Sequence, residues 1–177
     1  MKYWYIGAVA LVVAAAVGLT LYRKKPATNP QVDGGVRHYV DESLPKEIQS
    51  TQITYFHCKF SSMARSMADT PIAGQVFTLT ATEESCTCKI RDRSKEIISE
   101  TFVPDANFFG QLQQIVSRHD MARENGQHYR VSGLPPDFGI DLEVRYSSGE
   151  VIRTSNNQSC FLSNEAMEEL AALFQRK

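Results

Sequence analysis

The chain has 177 residues, of which 42% are hydrophobic and 22% are charged. These fractions are those of an ordinary globular protein and exclude a chain that is disordered throughout. The 19 basic and 20 acidic residues leave a formal net charge of -1, so no overall positive field attracts DNA or RNA, and no nucleic-acid partner is expected.

The uncharged run from Trp4 to Tyr22 predicts a transmembrane helix. About 20 apolar residues cross a hydrocarbon core of about 30 Å, and aromatic rings at the two ends favour the membrane interface. Three cations, Arg23 to Lys25, follow directly, which is typical of a stop-transfer segment rather than of a cleaved secretory signal. We therefore expect a single-pass cell-membrane protein that contacts the membrane through residues 4–22, with residues 1–25 as its anchor.

The side of the membrane is indicated by the positive-inside rule. Arg23, Lys24 and Lys25 outweigh Lys2 at the other end of the run, which places the C-terminal domain in the cytoplasm. An exported domain on an N-terminal anchor is the alternative.

Residues 26–50 predict a linker, because prolines and a Gly34-Gly35 pair interrupt any long regular element. Residues 36–44 are expected to add at most a short helical or extended piece against the domain. His38 and Tyr39 lie in this piece and are interpreted as solvated.

Residues 51–60 alternate with period 2 and predict a strand. One predicted face carries Thr54, Phe56, Cys58 and Phe60, and the other carries Ile53, Tyr55, His57 and Lys59. Residues 61–74 then predict a loop, with one helical turn that brings Met63 and Met67 together.

Residues 75–91 predict a β-hairpin. In its second arm Cys86, Cys88 and Ile90 alternate with polar residues at 85, 87, 89 and 91. Such strict alternation is typical of a sheet with one face on a core and the other in water. Residues 96–103 are expected to return as a further strand.

The next elements are a helix and a second hairpin. Asp105 is a candidate N-cap of the helix, Asn125-Gly126 its candidate end, and residues 140–155 form the hairpin with its turn at Ser148-Gly149. Residues 128–133 predict a strand between them. The apolar stripe of the helix comprises Phe108, Phe109, Leu112, Ile115, Val116 and His119.

A C-terminal helix is predicted after Ser163, which can cap it, with Leu162 and Met167 placed for a hydrophobic staple. Strands that alternate with two amphipathic helices are typical of a two-layer α+β domain. We therefore predict that residues 51–177 form such a domain, with a mainly antiparallel sheet and two main helices.

The four cysteines allow three interpretations. Cys86 and Cys88 share one strand face, and with Cys58, Cys160 or His57 they could ligate a metal, but one C-x-C lacks the paired spacing of structural zinc sites. A disulfide that involves Cys58 or Cys160 would require an exported domain. Buried thiols are the interpretation that we favour, so no metal and no cofactor are predicted.

No residue is assigned a catalytic role. His57 and Cys58 are adjacent in a strand and therefore point to opposite faces, which separates a base from a nucleophile. His119 lies on the apolar stripe of its helix. The charges of the second hairpin, at Asp141, Glu143, Arg145, Glu150 and Arg153, alternate in sign and are interpreted as cross-strand pairs on a solvated face.

The C-terminal quarter resembles a loosely defined group of uncharacterised bacterial proteins that are membrane-anchored or lipoprotein-like. The shared pattern is a strand, a Tyr-x-x-Gly turn, a second strand and a short helix, here residues 140–150, Asn156-Asn157, Phe161-Leu162 and the helix to Phe174. Residues 157–161 lack the proline that the relatives often carry before the helix. The resemblance implies the fold and membrane association but no activity.

These patterns favour a membrane-anchored, non-enzymatic binding or accessory module, for which a protein partner is possible. Two alternatives remain open. The chain is an enzyme whose site is assembled from scattered residues, or it is an immunity or chaperone-like partner of another membrane or secreted protein.

Overall fold

The computed structural model describes residues 35–62, 72, 74–92, 95–134 and 138–175. In these residues eight strands form one sheet in the order β1-β6-β8-β7-β2-β3-β4-β5. All neighbouring strands are antiparallel except β6 and β8, which confirms a mainly antiparallel sheet. The strands are β1 (Val36–Val40), β2 (Ile53–Ser61), β3 (Gln75–Thr82), β4 (Cys86–Asp92), β5 (Lys95–Phe102), β6 (Gln127–Val131), β7 (Ile140–Tyr146) and β8 (Val151–Asn156).

Two helices, α1 (Phe108–Arg118) and α2 (Asn164–Phe174), pack on one face of the sheet, and a 3-10 helix at Met121–Glu124 follows α1. The Phe174 ring of α2 lies 5.8 Å from Phe56 of β2 and 5.2 Å from Phe108 of α1. These contacts join both helices and the sheet in one apolar core. The predicted α+β fold with two helices is therefore confirmed for the described residues.

The hairpin of β3 and β4 follows the predicted alternation. Cys86, Cys88 and Ile90 are buried, and they lie directly across from Ala81, Leu79 and Phe77. A sheet that rests on a core with one face selects this pattern, since neighbouring residues of a strand point to opposite faces.

One residue of β2 departs from its predicted face. Phe56, Cys58 and Phe60 are fully buried as expected, but Ile53 is also in the core, at 3% exposure. The register between β2 and β7 shifts between Ile53 and Tyr55. A β-bulge of this kind inserts one extra residue and reverses the alternation beyond it, so the prediction that Ile53 shares a face with His57 and Lys59 was wrong.

The ends of α1 also differ from the prediction. The helix begins at Phe108 with Asn107 as its N-cap, whereas the Asp105 carboxylate accepts from the Asn107 N–H in the preceding turn, at 2.9 Å. It ends at Arg118, because His119 is the C-cap and Asp120 has a φ of 46° in the left-handed region. Asn125-Gly126 instead ends the 3-10 helix, and the φ of Gly126 is 78°.

Part of the predicted linker belongs to the folded unit, which comprises Gly34–Lys177. Val36–Val40 form the edge strand β1 and pair with β6, in the segment for which the sequence allowed a short extended piece. The next residues are also held, since the Glu150 carboxylate accepts from the N–H groups of Gln49 and Ser50, each at 2.9 Å.

Hydrogen bonds of the Asn125 side chain connect the β1–β2 connection to β8. Its side chain is fully buried and donates to the carbonyls of Pro45 and Val151, both at 2.8 Å. Its Oδ1 accepts from the N–H of Arg153 at 2.7 Å. One amide therefore joins the β1–β2 connection to β8.

The N-terminus of α2 has the predicted cap, and the two residues placed for a hydrophobic staple are buried. Ser163 Oγ accepts from the Ala166 N–H at 3.1 Å, and Leu162 and Met167 are both buried. Such a cap satisfies one of the amide groups that a helix leaves without an internal partner.

Replacing Ser163 by alanine is expected to lower the free energy of unfolding by about 1 kcal/mol, because the cap hydrogen bond is lost. Urea unfolding of the full chain in nonionic detergent, followed by circular dichroism, measures the change. Ser163→Thr is the matched control and should retain most of the stability. Equal losses in both variants would contradict a capping role.

Two predicted elements lie outside the described residues, namely the anchor at residues 4–22 and the loop that contains Met63 and Met67. Within the described ranges, no helix is long and apolar enough to cross a membrane.

Candidate functional site: the open face of the sheet

The face of the sheet opposite the helices is polar, and we call it the open face. It is formed by alternate residues of β1, β2, β3, β4, β6, β7 and β8, which are paired in register across the sheet. Its central row runs Thr87, Thr80, His57, Glu143 and Arg153. Both described helices pack on the other face, so no described helix covers this surface.

Hydrogen bonds and ion pairs order the side chains of the central row. His57 Nδ1 lies 3.1 Å from Thr80 Oγ1, and His57 is directly opposite Glu143. The Glu143 carboxylate accepts from Arg153 at 2.8 Å and from Arg145 at 2.9 Å. The hydrogen bond from Arg153 lowers the pKa of Glu143 below its ordinary value, and Arg145 adds to this effect. The predicted cross-strand pairing of this hairpin is thus confirmed for Glu143 and Arg153, whereas Glu150 accepts from the N–H groups of Gln49 and Ser50 instead.

Positive charge collects on one half of the open face. We call this half the basic patch, and it spans strands β1, β6, β8, β7 and β2. Its five cations outnumber its two carboxylates, Asp141 and Glu143, which leaves an excess of three positive charges. The cations are Arg37, Lys59, Arg130, Arg145 and Arg153. Since the whole chain has a net charge of -1, acidic side chains must predominate elsewhere.

A shallow cleft of ≈ 230 Å³ lies at the edge of the basic patch, where β6, β7 and β8 meet. Its lining includes the charged side chains of Lys59, Arg130 and Asp141 and the hydroxyl of Ser155. The other lining residues are Tyr129, Phe138, Gly139, Ile140, Asn156 and Asn157. Gly139 has a φ of 98°, and a side chain there would collide with the Asn156 carbonyl. Glycine at this position therefore lets the start of β7 approach the end of β8.

A second pocket, of ≈ 320 Å³, lies between the β1–β2 connection and α1. The Tyr146 side chain and Gln113 line it, and neither the Tyr146 hydroxyl nor Gln113 Oε1 has a partner with hydrogen-bond geometry in the described residues. Burial raises the pKa of Tyr146 to about 12, and the nearby Gln113 amide opposes that rise. The Gln113 amide is therefore near the Tyr146 hydroxyl in this pocket.

The structure separates the residues that were considered for catalysis. His57 lies on the open face, whereas Cys58 is fully buried on the core face. Burial raises the pKa of the Cys58 thiol well above its ordinary value, and nearby Cys160 contributes. A thiol in that state is a poor nucleophile. His119 contacts the Glu169 carboxylate of α2 at 3.1 Å and serves as a contact between the two helices.

All four cysteines are buried, and none forms a disulfide. Cys160 Sγ lies 4.0 Å from Met167 Sδ. Among the described residues, no group of three or more His, Cys, Asp or Glu side chains is arranged to hold a metal ion. The thiols therefore act as small apolar groups of the core.

Buried thiols are expected to resist modification in the native chain. Burial raises the pKa of Cys88 to about 11, so thiolate is scarce at pH 8 as well as shielded. We expect iodoacetamide to modify none of the four cysteines within an hour in the folded protein and all of them in denaturant, as measured by mass spectrometry. Rapid native modification of Cys58 or Cys88 would contradict the burial described.

The sequence patterns did not identify Arg37 and Arg130 as neighbours. Arg37 falls in the segment predicted as a linker and Arg130 in the strand predicted at residues 128–133, and no pairing between these segments is predicted. In the structure Arg37 lies directly across from Arg130, while Arg118 pairs with Glu169 on α2 at 2.6 Å. The sequence predicts at most a short helical or extended piece at residues 36–44, which does not specify β1.

No family model, curated protein or solved structure matches this chain. Its function is therefore inferred from its own residues.

Proposed function

We propose that this chain is a single-pass membrane protein that presents a non-enzymatic binding or accessory module. Residues 4–22 anchor it, and the open face of the sheet receives a partner. The observation that carries the proposal is the concentration of charged side chains on the open face, which no described helix covers.

The ordered side chains of the open face support this role. Glu143, Arg145 and Arg153 hold one another in place, and Arg145 also lies 4.6 Å from the centre of the Tyr55 ring. Side chains that are already ordered lose less entropy when a partner binds. Recognition by hydrogen bonds and charge suits such a surface better than burial of a large apolar patch does.

An enzymatic role has less support. A catalytic nucleophile requires a base within hydrogen-bond reach, and the structure places Cys58 and His57 on opposite faces of the sheet. His57 and Glu143 are neighbours, but Glu143 already accepts from two arginines and its pKa is lowered. A carboxylate held in that way is a weak proton acceptor near neutral pH.

The anchor is tested by placing charge inside the predicted span. Val12→Arg with Ala16→Arg should release the chain from membranes, because each arginine at the centre of a span costs about 2.5–3.5 kcal/mol. Alkaline carbonate extraction of cell membranes, followed by blotting for a C-terminal tag, measures the distribution. The wild-type chain should stay in the membrane pellet and the double variant should move to the supernatant.

The matched control places the same two charges just beyond the span, at Ala27→Arg and Gln31→Arg. This variant should remain in the pellet with the wild-type chain. Extraction of the wild-type chain by carbonate, or retention of the Val12 and Ala16 variant, would overturn the anchor.

The binding surface is tested by photo-crosslinking in intact cells. A photoreactive residue at Thr80, on the open face, should yield a discrete adduct. The same residue at Glu168, which is exposed on α2, should yield none. Adducts from Glu168 alone, or from neither position, would contradict recognition through the open face.

A further inference from the structure

We infer that the basic patch contains a binding site for a phosphate group, at the cleft beside Arg130. This inference rests on the proposed function, because it places the site on the same open face. It goes further in naming the chemistry that the face recognises.

The first observation is the arginine pair itself. Arg37 and Arg130 lie directly opposite each other on β1 and β6, and both are exposed. Within the described residues, no carboxylate forms an ion pair with either of them. Like charges placed directly across a strand pair are destabilising. Arg130 lines the cleft and Arg37 lies beside it on β1, so an anion that contacts both side chains would convert this repulsion into attraction.

The second observation is the cleft. Arg130 and Lys59 both line it, and its only described carboxylate, Asp141, lies directly across from Lys59. The described lining therefore has two cations and one carboxylate, which leaves an excess of one positive charge. The volume of ≈ 230 Å³ is below the range of about 300–1,000 Å³ for drug-sized ligands, so the cleft suits a single headgroup.

The backbone that carries Arg130 is held in place before any ligand arrives. The Asn157 side chain accepts from the Val131 N–H at 2.8 Å and donates to the Val131 carbonyl at 2.9 Å. In the adjacent row, His128 Nδ1 lies 2.9 Å from Ser155 Oγ. These contacts fix β6 against the end of β8, which leaves the Arg130 side chain as the main part that must be ordered on binding.

Phosphate is the anion that best fits this arrangement. A guanidinium group offers parallel N–H donors that match two oxygens of a phosphate, and a tetrahedral phosphate has oxygens for two such groups. Single-stranded nucleic acid would also need a row of aromatic rings for base stacking. On this half of the sheet the Tyr39 ring is strongly exposed, at 62%, but it already stacks on the His128 ring. One such ring does not form a row on which successive bases could stack.

The phosphate has two possible sources, a lipid headgroup or a soluble phosphate ester, and one experiment separates them. Full-length protein in nonionic detergent is titrated with sodium phosphate, glycerol 3-phosphate or dihexanoylphosphatidylglycerol below its micelle concentration. Sodium chloride at equal ionic strength is the reference. The readout is the ¹H–¹⁵N signal of the arginine side-chain Nε–H groups, which reports binding at individual residues.

We expect saturable shifts of the Arg37 and Arg130 signals that chloride does not reproduce. A response to the lipid alone would assign the site to a headgroup, and a response to all three would assign it to phosphate in general. The double variant Arg37→Gln with Arg130→Gln should bind at least about tenfold more weakly, since it loses two charge-assisted contacts. Lys89→Gln, on β4 of the same face, is the matched control and should bind as the wild-type chain does.

Two further readouts separate a site from general charge attraction. The arginine double variant should unfold at a higher temperature than the wild-type chain without phosphate, because the repulsion is gone, and phosphate should stabilise only the wild-type chain. Arg130→Lys keeps the charge without the paired donors and should bind with intermediate affinity. This conservative variant also tests the site if the double variant fails to fold.

The inference is overturned if phosphate produces no shift beyond that of chloride, or if Lys89→Gln weakens binding as much as the arginine variants do. Neither result depends on the crosslinking from Thr80. Loss of phosphate binding with retained crosslinking would therefore reject this site alone. Phosphate binding without a crosslink from Thr80 would instead reject recognition of a partner through the open face.

Discussion

Replacing Phe108 by alanine is expected to lower the free energy of unfolding by about 3–5 kcal/mol. The ring is fully buried where α1, α2 and the end of β5 meet. Its centre lies 5.2 Å from that of Phe174, 5.5 Å from Phe109 and 5.8 Å from Phe102, with edge-to-face geometry in each case. The loss combines the transfer free energy of the ring with the cavity that remains.

Phe109→Ala is the matched control, since this neighbouring ring is only partly buried. It should cost less than half as much, because part of its surface already meets water. Urea unfolding of the full chain in nonionic detergent measures both variants. Equal costs at the two positions would show that Phe108 is not the centre of the aromatic cluster.

Replacing Asn125 by alanine is expected to cost about 3 kcal/mol, because it leaves buried backbone groups without partners. The carbonyls of Pro45 and Val151 and the N–H of Arg153 all lose the Asn125 amide. Lys46, which donates to the Asn125 carbonyl, should keep that contact. The expected result is a destabilised chain in which the β1–β2 connection opens first.

Hydrogen exchange measured by mass spectrometry tests where the opening occurs. In Asn125→Ala the amides of residues 41–50 should exchange faster, while those of β3 and β4 should change much less. Asn164→Ala, at the exposed first turn of α2, is the control and should change stability by less than about 0.5 kcal/mol. A uniform increase in exchange across the sheet would contradict a local role for Asn125.

The two hairpins could be predicted because their signals are local. Cys86, Cys88 and Ile90 alternate with polar residues along one strand, and Ser148-Gly149 marks the turn of the other hairpin. In the structure the three core residues are buried, and Gly149 has a φ of 89°. Such a φ favours glycine at a turn.

Features that depend on contacts between distant segments could not be predicted in the same way. The bulge at Ile53 is defined by its register with β7, and the end of α1 is set by the left-handed Asp120. β1 is short and exposed, so it has no buried row to reveal it, and its pairing with β6 defines it as a strand. An edge strand depends on its neighbour because an isolated extended segment has too few contacts to be stable.

The sequence by itself determined most elements of the folded part, among them the strands of period 2 and the capped helix after Ser163, and its apolar run at residues 4–22 predicts the anchor. These signals are readable because each one depends on the geometry of neighbouring residues. Tertiary structure alone decided the order of the strands, and with it the charge of the open face. Arg37 and Arg130 are far apart in the chain, and they become neighbours only because β1 pairs with β6. Charge on a surface depends on which segments meet there, and that is settled by long-range packing rather than by local periodicity.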